Sequence, residues 1–121
     1  MVNPEDTKAL LDECIQWRQQ LRDAREIVHG LQNELVPAVE GKTDQDFLRQ
    51  VDHYQNQFHI SLINLHDIKY EIKHHVAEME KYPHFGHRVP HLTLEDKFKT
   101  LLNDIRKLNE EFYQFVGAAR A

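Results

Sequence analysis

Three stretches of this sequence carry one apolar rhythm, in which steps of four and three residues alternate. The first reads Leu10, Cys14, Trp17, Leu21, Ala24, Val28, Leu31 and Leu35. The second reads Phe47, Val51, Tyr54, Phe58, Ser61, Leu65, Ile68, Ile72, His75 and Met79. The third reads Leu94, Phe98, Leu101, Ile105, Leu108, Phe112, Phe115 and Ala119. A seven-residue repeat places each set on one stripe of an α-helix, and such a stripe is stable only against another helix. The expected fold is therefore all-α, an antiparallel up-down-up bundle of three long helices with heptad-like packing. Four glycines and four prolines in 121 residues are too few for a turn-rich β fold.

Local signals set the boundaries. Asn3 can cap a helix that starts at Pro4, with Glu5 and Asp6 at the positive end of its dipole. Pro37 lacks an N–H and crowds the preceding turn, so this helix is expected to end or kink near residue 36, with Gly41 as a stop. Thr43, Asp44 and Asp46 open the second helix, which Pro83 and Gly86 close after about residue 80. Thr93 and Asp96 open the third. The expected helices cover about 4–36, 44–80 and 93–119 of a single domain spanning 1–121, with a histidine-rich loop at 81–92.

These lengths, roughly 48, 55 and 40 Å, are unequal. A third helix that starts beside residue 80 and is this short would end beside residue 54. Beyond it the first two helices would stand as an uncovered hairpin carrying Leu31, Leu35, Val36, Phe47, Leu48, Val51 and Tyr54. Burying one exposed Leu or Phe contributes about 1.5–3 kcal/mol, and monomers seldom leave such patches wet. The expectation is an interaction module that self-associates, most simply as a homodimer, or docks a protein partner through this tip. Ile60, Leu62, Ile63 and Tyr70 give the second helix apolar character off its main stripe, as in a central helix with several neighbours.

Histidine is the other unusual feature. Nine are present, and protonating all of them would carry the formal charge from −5 to +4 in mildly acidic conditions. His74, His75, His84, His87 and His91 cluster at the end of the second helix and along the loop. Neutral imidazoles ligate zinc, copper and nickel, so these five are the candidate metal ligands, and a metal-binding helical protein is the alternative function. No cofactor other than such a metal is implied. A seam histidine such as His75 can also set register or hydrogen-bond locally, as can Ser61. Two Glu-x-x-His pairs, Glu26/His29 and Glu71/His74, have the spacing of di-iron carboxylate sites. In an antiparallel hairpin they lie about 24 Å apart along the axis and cannot share a metal.

Arg18, Arg22, Arg25 and His29 line one face of the first helix and could touch phosphate, although Arg22 is also placed to pair with Glu26. A net charge of −5 argues against a dedicated nucleic-acid binder. Cys14, on the apolar stripe, reads as a buried small hydrophobe. No phosphate loop, nucleophile elbow, H-E-x-x-H or C-x-x-C occurs, and no nucleophile–base pair stands out, so binding is expected rather than catalysis. A lone cysteine, no 18-residue apolar run and no apolar leader point to a cytoplasmic protein that does not enter a membrane.

Overall fold

A computed structural model describes residues 3–120 and shows three helices, α1 (Pro4–Val39), α2 (Gln45–Lys81) and α3 (Arg88–Arg120), each packed on the other two. The described residues contain no strand. The heptad positions form the core. Leu10, Cys14, Trp17, Leu21, Ala24, Val28, Leu31 and Leu35 are all buried. They meet Phe58, Leu65, Ile68, Ile72 and Met79 of α2 and Leu94, Phe98, Ile105, Leu108 and Phe112 of α3. Hydrogen bonds at the two ends fix the up-down-up arrangement. Thr7 Oγ1 donates to the Pro83 carbonyl at one end (2.7 Å), and Lys42 Nζ donates to the Ala119 carbonyl at the other (3.2 Å).

The caps behave as side-chain chemistry dictates. Asn3 Oδ1 accepts from the Glu5 N–H and Asp44 Oδ1 from the Asp46 N–H, each satisfying a donor that a first turn leaves orphaned. Gly41 takes φ +77°, a left-handed conformation that glycine adopts without a Cβ clash, and it turns the chain from α1 into α2. Among the described residues, no helix is long and apolar enough to cross a membrane.

Two boundaries depart from the sequence expectation. Helix α1 continues through Pro37 to Val39. Proline there removes one helical hydrogen bond, but Ala38 is buried and Val39 packs on the core, which holds the last turn in place. Helix α3 starts at Arg88 rather than near residue 93, and Pro90 lies in its first turn. First-turn N–H groups have no partner inside a helix, so proline costs little at that point. The His91 N–H already donates to the His87 carbonyl (2.9 Å). Thr93, expected as a cap, is inside the helix and donates Oγ1 to the Val89 carbonyl (3.0 Å).

The earlier start makes α3 33 residues long, about 50 Å, enough to reach the far end of the hairpin. The expected uncovered tip is therefore a correction. Leu31, Leu35 and Val51 are buried, and Phe47, Leu48 and Tyr54 are half-buried; of the seven, Val36 alone is widely exposed, at 71%. Phe115 stacks on Phe47 (ring centroids 5.1 Å) and packs on Tyr54 (5.0 Å), while Phe112 meets Tyr54 and Phe58 edge-on (5.5 and 5.1 Å). The apolar surface reserved for a partner is covered by the chain's own third helix.

Candidate metal centre

The opposite end of the bundle gathers chemistry from all three helices. Cys14 projects from the α1 stripe and is fully buried. His75 projects from the α2 stripe and is 7% exposed. His91, in the first turns of α3, is 1% exposed. The two imidazoles are hydrogen-bonded to each other, His75 Nε2 to His91 Nδ1 at 3.0 Å. The other nitrogen of His91, Nε2, lies 2.5 Å from Glu13 Oε2. A carboxylate only accepts, so His91 donates from Nε2, and its Nδ1 presents a lone pair toward His75. One ligand atom each from Cys14, His75 and His91 can be chosen so that all lie within 4.8 Å of one another; the same holds for Glu13, His91 and Glu95 on the outer side.

The surroundings hold this arrangement rigidly. Trp17, one turn beyond Cys14, stacks on the His91 ring (centroids 4.5 Å apart, planes 24° apart) and also on Phe98 (5.3 Å). His91 can occupy the α1–α3 seam because Glu13 satisfies one ring nitrogen and His75 the other. A buried polar group without partners costs about 1–3 kcal/mol, and among the described residues no buried side-chain nitrogen or oxygen lacks one.

Electrostatics favour the neutral imidazole. Burial first, then the neighbouring His91, His87 and His74, lower the pKa of His75 from 6.5 to about 4. At neutral pH His75 therefore keeps the lone pair that a metal ligand requires. Burial, reinforced by Glu13, pushes the Cys14 thiol up to about 12, so it is protonated and unreactive unless a cation takes the proton's place.

An open groove of about 840 Å³ runs beside His75 between the end of α2 and the start of α3, with His74, Glu78 and His87 among its lining residues. His87 donates Nε2–H to the Tyr82 carbonyl (2.8 Å), which leaves its Nδ1 free, and its ring centroid is 6.3 Å from that of His75.

Of the five histidines singled out by sequence, the structure brings His75 and His91 together, sets His87 and His74 around the adjoining groove, and leaves His84 exposed in the turn. Sequence reasoning missed Cys14 and Glu13. Their signal was positional. The α1 stripe had to meet the α2 and α3 stripes, and the polar members Cys14 and His75 lie near the same end of the bundle. The Glu-x-x-His pairs remain apart. His29 bonds Arg25 and Gln32, whereas Glu71 pairs with Lys97 at 3.0 Å.

No protein-family model matches the chain, and no curated protein or solved structure is significantly similar to it.

Proposed function

We propose that this bundle is a metal-binding protein whose centre is formed by Cys14, His75 and His91. The observation that carries this reading is the convergence of a thiol and two imidazoles, all buried, from three different helices. One sulfur and two nitrogens form a donor set suited to tetrahedral zinc, with a fourth position left for water, His87 or an exogenous ligand from the groove. On a tetrahedral zinc with bonds of about 2.0 Å, two nitrogens lie ~3.3 Å apart, close to the present spacing of the rings. A metal would take the place of the Cys14 proton, and the His75 proton would pass from Nε2 to Nδ1, so that both imidazoles ligate in their neutral form. Glu13 supplies the outer partner that ligating histidines commonly have: it accepts from Nε2 of His91, fixes the tautomer and raises the basicity of Nδ1. Binding in this reading is structural or carrier-like, and no catalytic step is assigned to it.

Self-association through the tip, the other reading of the sequence, loses its motive once α3 covers that surface.

The test is a cobalt(II) titration of untagged, chelator-treated protein. One equivalent should bind, with tetrahedral d–d bands and a thiolate-to-cobalt charge-transfer band. Zinc should then displace the cobalt, and about one proton, from Cys14, should be released on metal binding. Cys14→Ser should abolish the charge-transfer band, and His91→Gln should weaken binding by at least about tenfold. Absence of stoichiometric binding, or a spectrum unchanged in Cys14→Ser, would overturn the assignment.

A further inference from the structure

Away from the metal centre, α1 and α2 form a second concave surface with a different chemistry. Arg18, Arg22 and Arg25 of α1 face Lys69 of α2 across a groove of about 250 Å³, joined by His29 and His66. No carboxylate lines this groove. The chain carries a formal charge of −5, so four permanent cations gathered without an acid form a local inversion of its overall field. The inversion is not neutralised by ion pairing. Among the described residues, no carboxylate pairs with Arg18, Arg22, Arg25 or Lys69.

The Arg22–Glu26 pair that helix spacing allows does not form. Arg22 instead donates to the neutral Gln19 Oε1 (3.3 Å), and Arg25 Nε donates to His29 Nε2 (3.4 Å). Guanidinium groups held by such weak neutral acceptors keep most of their donors available for an incoming anion.

The floor adds a second recognition element. Leu21, Leu62 and Leu65 lie beneath the cationic rim, two of them buried and Leu62 half-buried. An anion-binding surface built only to hold free phosphate needs no such floor. Arg18, Arg22 and Arg25 occupy successive turns and span ~10 Å of helix, a length suited to a small molecule rather than to one point charge. A polymer such as DNA requires a broad cationic surface, and the chain's net negative charge opposes that.

We propose that this groove binds a small phosphate ester with an apolar or aromatic body, the phosphate held by the arginines and Lys69 and the body resting on the leucines. The site shares no residue with the proposed metal centre, so its success or failure is read independently.

The experiment is a titration of the metal-free full chain with naphthyl phosphate, inorganic phosphate and a short DNA duplex, followed by calorimetry and by amide and methyl chemical shifts. Naphthyl phosphate should bind saturably at one site, at least about tenfold more tightly than inorganic phosphate, and should shift the methyl signals of Leu21, Leu62 and Leu65. Charge-assisted bonds to phosphate contribute more than about 1.5 kcal/mol each, equivalent to about tenfold in affinity. Arg22→Gln and Arg25→Gln should therefore each weaken binding by about that factor, with unchanged circular dichroism. Arg106→Gln, whose parent residue pairs with Glu110 on α3, is the control for general charge and should bind as the wild type does. The proposal is overturned by any of four results: no saturable binding at millimolar ligand, equal affinity for inorganic phosphate, equal losses in the Arg106→Gln control, or tighter binding of DNA than of naphthyl phosphate.

Discussion

The indole of Trp17 lies against the imidazole of His91, ring centroids 4.5 Å apart, and so ties the α1 stripe to the first turns of α3. Trp17 is the chain's single tryptophan, and its fluorescence therefore reports on the candidate centre directly. Zinc binding should change its emission in wild-type protein, and in His91→Gln the change should require at least about tenfold more zinc. Removing the platform should also be costly. Truncating a buried tryptophan leaves a cavity, and Trp17→Ala is expected to lower stability by about 3–5 kcal/mol in urea unfolding.

The metal-free protein should lose stability as the solution is acidified. The pKa of His75 is lowered from 6.5 to about 4 in the folded state, so between these values the unfolded chain binds more protons than the folded one. Stability contributed by the neutral ring is complete above pH 6.5 and is lost as pH falls toward 4. A shift of this size corresponds to about 3 kcal/mol. The groups around His75 are Cys14 from α1, His74 from α2, His87 at the α2–α3 turn and His91 from α3, which in turn holds Glu13 on its far side. Urea unfolding across this range should show the decline, and His75→Gln should flatten it.

Cys14 should be inert in the folded, metal-free protein. Its thiol is fully buried and pushed up to about 12, so almost none is thiolate at pH 8. Alkylation by iodoacetamide should be slow and should accelerate in proportion to the unfolded fraction as denaturant is added. Rapid alkylation under native conditions would show that the pocket opens without unfolding.

The aromatic cluster at the other end should carry much of the bundle's stability. Phe112 is fully buried and meets Tyr54 and Phe58 edge-on. Phe112→Ala is expected to cost about 3–5 kcal/mol. The same change uncovers part of the surface around Val51 and Tyr54, so light scattering of this variant should show more association than wild type at equal concentration.

Much of this architecture was legible in the sequence because an amphipathic helix writes its buried face into a fixed spacing. Val28, Phe58, Ile72 and Phe98 are core residues for that reason. The length of α3 was not legible. Pro90 reads as a loop residue, yet in a first turn its missing N–H has nothing to bond. That misreading shortened α3 and suggested an exposed tip, which Phe112 and Phe115 in fact cover. The candidate centre was half legible. His75 and His91 stood out by residue type, whereas Cys14 was hidden by its own stripe, where a thiol passes for a small apolar side chain. Metal spacings are recognised along one chain segment, and this donor set exists only across three.

That dispersal has a consequence for how the protein is made. Cys14 leaves the ribosome early, His75 much later and His91 later still, while Thr7 waits for the Pro83 carbonyl to fasten the first turn. No nascent chain contains the complete donor set until His91 has been added, so high-affinity capture of a metal would wait for the start of α3.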